Sequence, residues 1–298
     1  MTGTVLTYNN SIMRKLFLTA LAVALTMTAC EKPIISDNDG GNVRLTFVPT
    51  THDVPTRGTV SIGDYFSRIA VQLFDADGQK VFDKVKTQSR EDDDFGTLSV
   101  GLTAGTYTVV AVGHSSPVTP TIKSTELVQF TAKDGVKNSD TFCHYGTVTI
   151  DAEHTSHELR MNRMTAMVAF EFTDEALPEN YAGIRIDYTG GSANFNPSTA
   201  EGCTKSSQSE TRGKGTIQYQ VFTFPYLSNE GTLKMTLTAL DANQNTLTTK
   251  TLTDVPVTRN RITRCSGPLF GSGDFTIIQT AFGITVNGDW DGEDFYSF

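Results

Sequence analysis

The chain has 298 residues, with 24 basic and 33 acidic side chains and a formal net charge of −9. A chain so acidic, without a clustered basic surface, is not built to hold nucleic acid. It also lacks a polybasic patch for anionic lipid, so any hold on a membrane has to come from elsewhere.

The first 29 residues form a leader. Arg14-Lys15 precedes an apolar run from Leu16 to Thr28, and small residues lead to Cys30. A charged segment, an apolar segment and a small-residue end make a secretory signal. The run is too short for a spanning helix, which needs about 20 residues. Met13 reads as the initiator, since nothing in residues 1–12 contributes to such a signal. The ending Met27-Thr28-Ala29-Cys30 resembles a bacterial lipobox, and that resemblance implies cleavage before Cys30 and a lipid on its sulfur. Removing 29 of 298 residues leaves 269, a length that suits two domains. Arg14 and Lys15 are the only charges removed, so 22 basic side chains face 33 acidic ones, a net of −11. Attachment then rests on acyl chains, each buried CH₂ contributing about 0.8 kcal/mol.

Residues 30–41, Glu31-Lys32-Pro33 through Gly40-Gly41, are polar and Gly-ended and read as a lipidated tether. Its acidic residues resemble the surface-export signal of Bacteroidetes lipoproteins; a plain solvated linker is the other reading. From Val43 onward strand follows strand. Val43, Leu45 and Phe47 alternate with Arg44 and Thr46, the period of a half-buried strand. Ile69, Val71 and Leu73 follow the same pattern, Asp75-Ala76-Asp77-Gly78 turns, and Lys80-Val81-Phe82 returns. After the acidic loop Glu91 to Asp94, Leu98 and Val100 begin another strand. Tyr107 to Val112 is almost continuously apolar, as expected between packed layers. Strands near Leu127–Phe130 and Gly146–Ile150 complete an N-terminal β-sandwich over residues 42–152.

The polar segment Asp151 to His157 marks the boundary, and a C-terminal sandwich is expected over 153–298. Its strands are Leu159–Met161, Met167–Phe172, Ile184–Tyr188, Ile217–Val221, Leu233–Ala239, the return at Leu247, Phe275–Gln279 and Phe282–Val286. Gly190 to Arg212 reads as a long polar loop, functional or mobile, and is the expected contact region. Recurrent strands, Gly/Asn/Asp turns and abundant β-branched residues predict an all-β chain of two sandwiches.

Chemistry-bearing motifs are few. Glu153-His154-x-x-His157-Glu158 has two histidines at a ligand-like spacing, but no helical pattern aims them at one point. Asp75-x-Asp77-Gly78 and Asp289-Trp290-Asp291-Gly292-Glu293-Asp294 hold fragments of a calcium loop without its distal Glu. Gly113-His114-Ser115-Ser116-Pro117 does not form a nucleophile elbow, and no phosphate-binding glycine loop is present. No pair of acids stands out for glycoside cleavage. With Cys30 assigned to lipid, Cys143, Cys203 and Cys265 remain. One disulfide among them is open, with the pair unspecified; three small apolar residues is the alternative.

Several motifs together resemble the FimB/Mfa2-type fimbrial anchor and accessory lipoproteins of Bacteroidia, within the fimbrillin superfamily. They are the lipobox at Cys30, Leu102-Thr103-Ala104-Gly105-Thr106-Tyr107, Thr141-Phe142-Cys143, and Arg160-Met161-Asn162-Arg163 leading into Met167-Val168-Ala169-Phe170. Tyr188-Thr189-Gly190-Gly191, Val257-Thr258-Arg259-Asn260-Arg261 and Gly288-Asp289-Trp290 continue the series. The resemblance implies two tandem transthyretin-like β-sandwiches and a non-enzymatic subunit of a fimbria, lipid-anchored at the outer membrane and surface-exposed. It needs no cofactor or metal. Its implied partners are pilin subunits, met by β-strand pairing or exchange, and a host ligand or glycan. Related stalk pilins lose an N-terminal strand by cleavage at an arginine. Arg57 in Pro55-Thr56-Arg57-Gly58 has that look, but a cut there would free the chain from its lipid. The alternatives are a fimbrial tip adhesin and a surface glycan-binding lipoprotein, for which Trp290 or a loop Tyr would be the aromatic platform; a hydrolase stands third.

Overall fold

The computed structural model describes residues 41–50, 61–131, 138–214 and 219–281. Cys30, Met13, Arg57, the strand expected at Phe282–Val286 and the Asp289–Asp294 motif lie outside the described residues. The described residues all fall within one compact unit.

Among the described residues there are twenty strands, and the only helical turn is 3-10, Ile62–Asp64. In chain order they are β1 (Val43–Pro49), β2 (Arg68–Phe74), β3 (Lys86–Ser89), β4 (Thr97–Val100), β5 (Gly105–His114), β6 (Thr121–Ser124) and β7 (Leu127–Gln129). Next come β8 (Thr141–Ile150), β9 (Ser156–Arg163), β10 (Ala166–Phe172), β11 (Gly183–Thr189), β12 (Gly191–Ser192), β13 (Asn194–Asn196) and β14 (Glu201–Gly202). The last six are β15 (Gln208–Gly213), β16 (Tyr219–Pro225), β17 (Glu230–Leu240), β18 (Thr246–Thr258), β19 (Arg261–Gly267) and β20 (Thr276–Ala281). Apart from that turn the described elements are all β-strands, as the alternation predicts.

Seven strands form the first sheet in the order β3-β2-β5-β8-β9-β1-β4. Val43, Leu45 and Phe47 of β1 share a core with Ile69, Val71 and Leu73 of β2, four places away across the sheet. The sheet therefore curls over on itself. Its fold line is the joint between β8 and β9, which pair at only two positions, Phe142 with Arg163 and Cys143 with Asn162. β9 was expected at the head of the C-terminal sandwich. It instead pairs with β8 and runs parallel to β1, so the first sheet continues to Arg163.

The second pair of sheets is β12-β16-β10-β19-β20 and β15-β11-β17-β18. Ala166, Val168 and Phe170 of β10 meet Ile184, Ile186 and Tyr188 of β11 and Leu233, Met235 and Leu237 of β17 in their common core. The strict alternation of β17 fits this: Leu233, Met235 and Leu237 are buried, while Lys234 is exposed.

A short antiparallel sheet, β14-β13-β7-β6, binds the two halves. β13 from the second half pairs with β7 from the first, Phe195 opposite Val128 and Asn194 opposite Gln129. Its apolar side covers the outer face of β2 and β5, where Ala70, Phe74, Val110 and Val112 pack against Ile122, Val128, Phe195 and Phe224. That cover explains why β2 is buried on both faces rather than on alternate residues.

Candidate functional site

The stretch from Gly190 to Arg212 is not a free loop. It holds β12, β13, β14 and most of β15, and Ser192, Ala193, Phe195, Gln208 and Glu210 are buried. β12 and β15 pair with β16 and β11 of the second half, and β13 pairs with β7 of the first. Gly190 has φ +108°, and a Cβ there would sit 2.4 Å from the Thr232 carbonyl oxygen, so only glycine fits.

Cys143, Cys203 and Cys265 are free thiols in the structure. Cys143 lies in the core beneath β13 and Cys265 in the core shared by β10, β11 and β17, where burial pushes the Cys265 thiol up to about 12. Burial also raises the Cys203 and Cys143 thiols. His154 turns back on its own loop: its Nδ1 lies 2.9 Å from both carboxylate oxygens of Asp151. His157 Nε2 lies 3.3 Å from the His154 carbonyl. Asp75 accepts from the N–H groups of Asp77 and Gln79 at 3.0 and 2.7 Å, which closes the hairpin turn. His114 is a core residue, edge-on to Phe130 at 5.6 Å.

Three of the sequence motifs converge where β8 and β9 part. Arg163 sits over the Phe142 ring at 4.6 Å. Its Nε and Nη2 reach the Asp140 carboxylate at 2.9–3.0 Å, and its Nη1 donates to Asn260 Oδ1 at 3.1 Å. Thr165 adds a hydroxyl to Asp140 at 3.0 Å, and its carbonyl accepts the Asn260 N–H at 2.9 Å. Asn260 occupies the left-handed region, φ 58°, where its short polar side chain is tolerated. It thereby turns β18 into β19 tightly enough to bring Arg259 and Asn260 to the first sheet. Beside this network lies a polar cleft of about 480 Å³, within the usual size range of small-ligand sites.

The cleft was legible only as disconnected motifs. Asn162, Arg163, Arg259 and Asn260 stood in the quoted stretches, but Thr50, Tyr145 and Ser198 carried no signal. They meet the others through the curl of the first sheet and the seating of β13, which are long-range events.

A second feature is an edge. β20 pairs with β19 alone among the described residues. Its sequence, Thr276-Ile277-Ile278-Gln279-Thr280-Ala281, has no charge and no proline. Ile277 packs inward against the second core, whereas Ile278 is 56% exposed. The connector into this edge is pinned by Asp174, whose carboxylate accepts from the N–H groups of Leu269, Phe270 and Gly271 at 2.6, 3.0 and 2.9 Å. Partial burial would raise the Asp174 carboxyl, but those three bonds hold it below its ordinary value. Among the described residues no helix is long and apolar enough to cross a membrane.

The sequence profile of a family described as a family of unknown function, DUF6562, matches residues 36–297. The chain belongs to that family. No curated protein matches this DUF6562 chain in sequence. Solved structures with a similar fold include the fimbrial anchor protein Mfa2 from Porphyromonas gingivalis, 15% identical over 80% of this chain and 94% of that one, TM-score 0.42. A fimbrial assembly protein from Parabacteroides distasonis is 12% identical over 80% and 95%, TM-score 0.43. A cell-adhesion candidate from Bacteroides uniformis is 11% identical over 85% and 100%, TM-score 0.46.

Proposed function

We propose that the chain is a non-enzymatic subunit of a cell-surface fimbria, an anchor or accessory component held to the outer membrane through lipid on Cys30. It contacts pilins by pairing or exchange of β-strands. The observation that carries this reading is the β20 edge. A strand with one free side offers a row of N–H and C=O groups to any passing strand, and soluble proteins usually blunt such edges with lysine, proline or a bulge. β20 carries none of these, and its β-branched, uncharged sequence favours further pairing. Backbone hydrogen bonds would supply the affinity, and the exposed Ile278 side chain would help set the register. The lipobox supports the anchored end of the molecule.

Two substitutions test the two ends separately. Ile278→Lys puts a charge on an exposed edge, so the fold should hold while incorporation of pilin falls at least tenfold; unchanged incorporation would reject edge pairing. Cys30→Ala should release the protein from the outer membrane, and undiminished attachment would reject the lipid anchor. N-terminal sequencing of the cell-surface protein separates an anchor from a tip adhesin, because a tip subunit would have lost its first strand.

A further inference from the structure

We propose that the cleft between β8, β9 and the β18–β19 turn is a binding site for a carboxylate-bearing saccharide. It does not depend on the fimbrial reading, since it uses neither β20 nor Cys30.

Charge is the first argument. Arg163 lines the cleft, but its guanidinium is matched by the buried Asp140 carboxylate. Arg259 also lines it, and its side chain has neither ion pair nor hydrogen bond among the described residues. None of the lining residues is acidic. A chain with a net charge of −9 thus keeps one uncompensated cation in a concave, partly enclosed place. A guanidinium presents planar paired donors suited to a carboxylate, and a partly desolvated setting strengthens that contact.

The rest of the lining selects a sugar over a simple anion. Tyr145 is 44% exposed and offers a ring to the cleft, the kind of amphipathic surface on which the C–H face of a pyranose rests. Asn162 and Asn260 bring carboxamides, which donate and accept at once, as vicinal hydroxyls require. Ser198 adds a hydroxyl from the β13 side. Thr50 Oγ1 is buried with no hydrogen-bond partner, although buried polar atoms are almost always partnered. A ligand hydroxyl in the cleft would satisfy it. A bare phosphate or carboxylate would use Arg259 and leave the ring and the amides idle.

The backbone is held for this arrangement. Ala200 and Asn260, on opposing segments of the wall, both sit in the left-handed region, at φ 62° and 58°. For alanine that conformation is unfavourable and persists only where the surroundings enforce it. The Arg163–Asp140–Asn260 network fixes the floor from which Arg259 projects.

The test is calorimetric titration of the purified chain lacking residues 1–29 with tri-galacturonate, with its fully methyl-esterified form as the neutral match. Saturable binding of the acid form, at least tenfold tighter than of the ester, is expected. Arg259→Gln should remove that preference and leave any ester binding in place, whereas Tyr145→Ala should weaken both forms by a similar factor. Both side chains are at least partly exposed, so unchanged thermal unfolding should accompany the losses. A parallel titration with sialyllactose against lactose asks the same question of a different acidic sugar. Absence of binding to both acidic probes would overturn the proposal. So would binding indifferent to Arg259→Gln and Tyr145→Ala, or tighter binding of a peptide C-terminal carboxylate than of either sugar.

Discussion

Arg163 Nη1 and Asn260 Oδ1 meet at 3.1 Å across 97 residues of sequence, and through that bond the last residue of β9 holds the turn between β18 and β19. The same guanidinium is paired with Asp140, and both side chains are nearly enclosed, 7% and 12% exposed. Removing one partner leaves the other charge stranded. Arg163→Met alone should therefore cost about 3–5 kcal/mol in urea unfolding. The double variant Arg163→Met with Asp140→Leu should recover much of that loss, because an apolar pair of similar volume carries no desolvation cost.

Acid should destabilise the chain in the window where histidines titrate. Burial lowers the His114 imidazole to about 4, with nearby Arg68 acting in the same direction and the Ser116 backbone opposing. The unfolded chain takes up that proton near the ordinary value of about 6.5 and the folded chain only near 4, so stability is present above 6.5 and lost as pH falls toward 4. The loss is on the order of 3 kcal/mol. His114→Gln should flatten that part of the pH–stability curve. A residual slope will remain from His144, which burial also lowers.

Glu210 behaves in the opposite sense. It is 1% exposed, and burial raises its carboxyl despite Arg212 at 2.5 Å and the Tyr188 hydroxyl at 2.9 Å. A raised carboxyl contributes stability below the ordinary value of about 4.5, and that contribution is lost as pH rises through the folded value. Glu210→Gln keeps an acceptor for Tyr188 and should leave stability at pH 7 within about 1 kcal/mol of the parent or above it. Denaturant midpoints at pH 5 and pH 8 will show a smaller difference for the variant.

Gly113 lies on β5 beneath the Phe66 ring, and a Cβ there would stand 2.6 Å from ring carbons. Phe66 is fully buried and also packs against Phe142 at 5.4 Å, so it cannot swing clear. Gly113→Ala should cost about 1–3 kcal/mol by overpacking, measured as a lowered melting temperature.

Wherever burial follows a local rhythm, the fold could be read in advance. β1, β11 and β17 alternate, and each proved half-buried as its pattern required. β5 was continuous and proved covered on both sides. β13 offers one apolar residue, Phe195, in a run of polar ones; its strand character comes from pairing with β7, which no local pattern encodes. β9 looked like the start of a new sandwich because the polar stretch before it resembles a linker, but its partners are β8 and β1. Arg163 and Arg259 were noticed as parts of motifs, yet their separate fates, one neutralised and one left charged, depend on Asp140, which no motif contained.

The placement of β1 has a mechanical consequence. It follows directly on residues 41–42 and is clamped between antiparallel β4 and parallel β9, with four and six register positions respectively. Tension entering at residue 41 along the strand axis loads these bonds together in shear instead of peeling them one by one. Whatever tugs on this end of the molecule must break the clamp as a whole, so the folded body should extend little before it yields.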